Sequence, residues 1–142
     1  MSGRIEDKVH LLPIRVYYED TDAGGIVFYA NYLKYMERGR SDFLRLLGVD
    51  QRALIAGSED GPLFFVVRRV ELDYLRPAKF DDMVEVRTKF LSVAGASAVM
   101  AQEVWRGDEL LVRGSVTIAA IGDSGAPRRF PRPLRHIFNM LL

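Results

Sequence analysis

Cysteine is absent from the 142 residues of this chain. That removes disulfides, thiol nucleophiles and thiolate metal sites together, and it fits a reducing compartment. An excess of either charge is missing too: 20 Lys and Arg face 19 Asp and Glu, for a net charge of +1. No long-range field therefore draws nucleic acid or an anionic membrane as the main partner, and any anion site must be local. No uninterrupted apolar run approaches the ~18 residues of a membrane span. Residues 1–8 carry acids and lack a signal-peptide core, so residues 1–10 read as a flexible N-terminus of a cytoplasmic protein. Histidine is scarce. His10 and His136 sit at opposite ends of the chain and belong to no motif, which reads as surface or packed side chains. There is no Walker-type phosphate loop, no zinc-ligand cluster and no serine nucleophile elbow. By elimination the candidate reactive group is a carboxylate, with no metal and no cofactor.

What is present suits one domain spanning residues 1–142. Residues 14–18 form a β-branched and aromatic run and read as a strand. From 31 to 47 apolar residues recur at helical spacing and Gly48 supplies a stop. Gly39 in mid-helix costs about 1 kcal/mol relative to Ala, so its place implies close packing. Residues 51–56 read as a short second helix and 57–62 as a turn-rich linker. Four strand-like runs follow, at 63–75, 84–93, 96–105 and 109–121, with Gly107-Asp108 as a hairpin turn. A strand, a helix and then consecutive strands predict an α+β fold, an antiparallel sheet with one long helix on its face. The apolar tail, residues 134–142, reads as a segment packing on a neighbouring subunit.

The densest signal is the run Glu19-Asp20-Thr21-Asp22-Ala23-Gly24-Gly25-Ile26-Val27-Phe28-Tyr29. Three acids within four residues precede two glycines, of which Gly25 lets a ligand come close, and then a helix. Such acids serve as caps or as reactive groups, and the spacing leaves both open. A helix beginning near 29–31 offers unpaired N–H groups and a positive dipole end, which together make an oxyanion site. Asn31 caps this helix or touches substrate. Glu19 and Asp20 read as capping or solvated.

This run resembles the signature of the 4-hydroxybenzoyl-CoA thioesterase family of hotdog-fold enzymes, and especially its Tol-Pal-associated acyl-CoA thioesterase branch. Glu37-Arg38-Gly39-Arg40, Phe65-Val66-Val67-Arg68, Tyr74-Leu75-Arg76-Pro77-Ala78 and Pro127-Arg128-Arg129-Phe130-Pro131 resemble that branch in the same order, over roughly residues 13–133. The resemblance implies a hotdog fold, a curved antiparallel sheet of about five strands wrapped around one long central helix. It implies hydrolysis of an acyl-CoA thioester to free acid and CoA, with Asp22 as nucleophile or general base and the backbone N–H of Tyr29 as oxyanion donor. Glu37, by the same likeness, faces the acyl end of the pocket and acts as a base or orients water, or else pairs with Arg38, Arg40 or a strand residue. Enzymes of the Tol-Pal branch often carry His where Tyr29 stands. A phenol titrates too high for proton transfer at neutral pH, so the Tyr29 side chain packs or donates a hydrogen bond.

CoA carries phosphates and needs local cations. The expected ones are Arg68, Arg76, Lys89, Arg128 and Arg129. The likeness further implies a homodimer or homotetramer with sites at the subunit boundary. Residues 63–66 of a second chain would help complete the pocket. A module that binds acyl-CoA or acyl-carrier protein with little hydrolysis, an enzyme acting on acyl-carrier protein thioesters, and a hydratase on the same fold are the competing readings.

Overall fold

A computed structural model describes residues 2–57 and 60–142. Ser58 and Glu59 of the expected 57–62 linker lie outside the described residues. The elements are β1 (Arg4–Glu6), β2 (Val9–Arg15), a 3-10 turn (Tyr18–Asp20), α1 (Asn31–Leu46), α2 (Gln51–Ala56), β3 (Phe64–Tyr74), β4 (Met83–Val93), β5 (Ser97–Arg106), β6 (Glu109–Ile121) and α3 (Arg132–Met140). All strands join one antiparallel sheet in the order β1-β2-β4-β5-β6-β3. This is the α+β class expected, with six strands where about five were foreseen.

The additional strand corrects the flexible N-terminus expected over residues 1–10. Asp7 and Lys8 both hold positive φ, 54° and 68°, so they form the two-residue turn whose twist suits a hairpin. β1 thereby pairs with β2 through Ile5 opposite His10. β2 also begins earlier than expected. Pro13 is tolerated because β1 pairs only as far as Leu11, which leaves Pro13 on an open edge where a missing N–H costs nothing.

Helix α1 lies across one face of the sheet. Its Tyr32, Tyr35 and Met36 pack with Val84, Val86, Val104 and Val112 in one apolar cluster; Phe43 and Leu44 pack with Phe90, Met100 and Val116 in a second. The two clusters lie under the first and second halves of the helix, so burial fixes it along its length. Gly39 sits between them. A Cβ there would stand 2.9 Å from Val86 Cγ1 and 3.2 Å from Thr88 Oγ1, which bears out close packing. Gly39→Val should therefore cost about 1–3 kcal/mol of unfolding free energy by overpacking. A urea denaturation midpoint that does not fall would contradict this packing.

The apolar tail does not wait for a neighbour. Residues 132–140 form α3, and fully buried Phe138 packs 4.7 Å from Phe90 and 5.3 Å from Phe130, ring centre to ring centre. β3, by contrast, is an edge strand whose Val66, Val67 and Val70 are 36%, 47% and 38% exposed.

Candidate active site

The acidic run folds as a turn and a miniature hairpin. The Asp20 carboxylate accepts the Tyr17 N–H at 2.8 Å, so it caps the 3-10 turn as expected, and Glu19 is exposed. Thr21 and Val27 then bridge. Between them the Asp22 N–H reaches the Ile26 carbonyl at 2.8 Å and the Gly25 N–H reaches the Asp22 carbonyl at 3.1 Å. Gly25 takes φ = 80°, a conformation that side chains resist. Its expected service as a point of close approach is thus tied to a backbone requirement. Asp22 opens the turn, and its Oδ1 accepts the Gly24 N–H at 2.8 Å, a common role for Asp in that position. Its other oxygen, Oδ2, has no partner among the described residues. The side chain is exposed, and none of the larger cavities among the described residues is lined by it.

Across this loop stands the start of α1. The Asp20 carbonyl accepts both the Phe28 N–H at 2.9 Å and Asn31 Nδ2 at 2.8 Å, so a single peptide pins the loop to the helix. Asn31 is spent on that link and does not cap. The N-cap residue is Ala30, which has no side chain to accept from the first turn. The backbone N–H of Tyr29 makes no hydrogen bond among the described residues. It is a free donor at the positive end of a helix. The Tyr29 side chain is 63% exposed and packs edge-on to Tyr74 at 6.1 Å. Glu37 lies six residues past Asn31, about 9 Å along the axis. It accepts Ser41 Oγ–H at 2.6 Å and makes no ion pair with Arg38 or Arg40 among the described residues. A cavity of about 140 Å³ beside it lies between α1 and β3.

The defining pattern of the Thioesterase superfamily matches residues 24–113. The match begins two residues past Asp22. Acyl-CoA thioesterase YbgC of Haemophilus influenzae is 40% identical over 91% of this chain and 93% of its own length. Acyl-CoA thioester hydrolase YbgC of Escherichia coli is 37% identical over 86% and 90%. This chain belongs to the thioesterase superfamily. A crystal structure of a probable thioesterase from Bartonella henselae shares the fold at a TM-score of 0.83, with 42% identity over 87% of this chain and 99% of that one. A gentisyl-coenzyme A thioesterase matches at 0.80, with 26% identity over 88% and 98%. These neighbours carry the hotdog thioesterase fold, so the fold expected from the resemblance is the one present, as a six-stranded open sheet.

In this thioesterase the expected CoA-binding cations do not converge. Arg128 Nη1 donates to the Gly61 and Pro62 carbonyls, both at 2.8 Å. Arg129 covers Gly95, where a Cβ would meet its guanidinium at 3.3 Å. Arg76 pairs with Glu109 at 2.9 Å. Lys89 projects from β4 on the side opposite buried Thr88 and Phe90, away from α1. Arg68 is the exposed residue at the β3 bulge, separated from β4 by two strands. Arg128 is thus committed to the scaffold. Arg128→Ala should lose about 1–3 kcal/mol of stability, since it deletes charged hydrogen bonds to two carbonyls, while KM for a CoA thioester holds. A rise in KM with unchanged thermal stability would restore the binding role.

Two buried polar sets escaped the sequence reading. His10 Nε2 meets Asp42 Oδ2 at 2.7 Å. Gln102 donates to the Met36 carbonyl at 3.0 Å and to Thr88 Oγ1 at 2.8 Å while accepting from Arg40 Nη1 at 2.9 Å. Their partners lie 14 to 66 residues apart in sequence, and no local motif announces them.

Proposed function

We propose that this enzyme hydrolyses an acyl-CoA thioester to the free acid and CoA, using the Asp22 carboxylate and the Tyr29 backbone N–H. The observation that carries the reading is that Asp22 Oδ2 and the Tyr29 backbone N–H, on the two sides of one loop, both lack a hydrogen-bond partner among the described residues. A thioester has a good leaving group, so catalysis needs a placed attacking oxygen and a place for negative charge. Asp22 Oδ2 supplies the first in one of two ways. It attacks the carbonyl carbon, expelling CoA thiolate and leaving an acyl-aspartyl anhydride that water then cleaves. Alternatively it takes a proton from water as the hydroxyl adds to the carbonyl carbon, and the tetrahedral adduct then collapses to the free acid with departure of CoA thiolate, which takes up a proton. In both the carbonyl oxygen gains charge, and the Tyr29 N–H with the uncapped start of α1 stabilises it.

The site is open in a single chain. The unpaired β3 edge and its exposed valines support closure by a second copy, in a homodimer or a higher homo-oligomer. A panel of short, long and aromatic acyl-CoAs, with CoA release followed by thiol detection, tests the reading. Release from at least one is expected. An intact panel under binding conditions would favour the alternative, a module that holds acyl-CoA without cleaving it.

A further inference from the structure

Arg40 is a half-buried cation that makes no direct ion pair among the described residues. Its guanidinium gives one N–H to the neutral Gln102 amide, and no carboxylate pairs with it among the described residues. The amide cannot turn away, because both its Nε2 protons are already placed, on Thr88 and on the Met36 carbonyl. Burial draws the Arg40 pKa below its usual value, with the charge of Glu37 opposing. Beyond the bond to Gln102 its N–H groups have no acceptor among the described residues, and a partly buried charged donor gains by finding one.

The same cavity of about 140 Å³ is walled by Phe65, Val67 and Ile118 on one side and by Glu37, Arg40 and Ser41 on the other. It is apolar enough for a carbon chain and polar at one face. Arg40 stands nine residues past Asn31, about 13 Å along α1. Its side chain leans back toward the helix start. That interval matches a medium-length acyl chain whose thioester sits at the helix mouth. Glu37 and Arg40 line this one cavity without pairing, the first an acceptor and the second a donor, and the Glu37 oxygen not taken by Ser41 has no partner among the described residues. Only a group that both donates and accepts uses the two at once. A carboxylate would instead set a second negative charge beside Glu37.

We propose that Arg40, with Glu37, is the acyl-specificity determinant of this site and selects acyl chains that end in a hydroxyl over plain alkyl chains of the same length. This rests on the thioesterase reading above for where the thioester sits. The test measures binding, so it does not depend on turnover: calorimetric titration of the Asp22→Asn protein with octanoyl-CoA, 8-hydroxyoctanoyl-CoA and the eight-carbon dicarboxylic mono-CoA thioester. The hydroxylated thioester is expected to bind on the order of tenfold tighter than either other, by one charge-assisted hydrogen bond. Arg40→Met in that background should bring the ratio to about one. Equal affinities before Arg40 is changed, including no measurable binding of any of the three, would overturn the inference. So would a ratio that survives Arg40→Met, or tightest binding of the dicarboxylic thioester. If wild-type protein cleaves none of them while the Arg40-dependent preference persists, the catalytic reading falls and this one stands.

Discussion

Asp22→Asn is expected to lower kcat for the best acyl-CoA substrate by about 10²-fold or more, the usual loss when a positioned acid or base is removed. The substitution separates the two roles that Asp22 has. As a turn residue, its Oδ1 accepts the Gly24 N–H. Asparagine keeps a carbonyl oxygen for that bond and favours the same turn. As a reacting group it contributes a charged oxygen, which asparagine lacks. Folding should therefore be spared while turnover is lost, with thermal unfolding of the variant close to wild type. Turnover within a fewfold of wild type would reduce Asp22 to a loop former. Loss of folding together with activity would leave the carboxylate with no catalytic role to assign.

The second large effect concerns the buried pair beneath the N-terminal hairpin. His10 is fully buried and Asp42 nearly so. Asp42 Oδ2 also accepts the Gly3 N–H at 2.8 Å, and His10 stacks on Phe43 at 5.2 Å. The one carboxylate thus fastens β1, β2 and α1 together. Asp42→Ala leaves a buried imidazole N–H and a backbone N–H without acceptors, at about 3–5 kcal/mol. That is a large share of the stability of a domain this size, and a urea titration should show it as a fall in midpoint.

Its pH dependence has a fixed sign. Burial pushes the Asp42 carboxyl up, but hydrogen bonds from His10 and the Gly3 N–H, with the charges of His10 and Arg45, outweigh it and hold the group below its ordinary value of 3.8. A carboxyl depressed in the folded state stabilises fully above its unfolded pKa and loses that contribution as pH falls through the folded one. The gap between wild type and Asp42→Ala should hold near neutrality and narrow below about pH 4. A gap independent of pH in that range would contradict an ionised Asp42 in the folded protein.

The long elements were readable because each carries its own periodicity. α1, α2 and the last four strands begin and end within two residues of where hydrophobic spacing and turn residues put them. β1 was not, since Asp7-Lys8 is an unusual filler of a turn that normally takes Asn-Gly or Asp-Gly. α3 was hidden by Pro131 and Pro133, which look like breakers but are compatible with a first helical turn. In the site, the turn chemistry of Asp22 and Gly25 is local and was legible, as was a helix start with free donors. What Asn31, Arg76 and Arg128 bind was not, because their partners arrive only with the tertiary fold: the Asp20 carbonyl, Glu109, and the Gly61 and Pro62 carbonyls.

A crystal structure of the assembled enzyme with an acyl-CoA analogue whose thioester is replaced by a non-cleavable ketone tests the reacting centre directly. The ketone oxygen should lie about 2.7–3.1 Å from the Tyr29 backbone nitrogen, with the carbonyl carbon about 3–3.5 Å from Asp22 Oδ2 or from a water that it holds. A ketone seated elsewhere, with both Asp22 oxygens turned into the loop, would contradict the account.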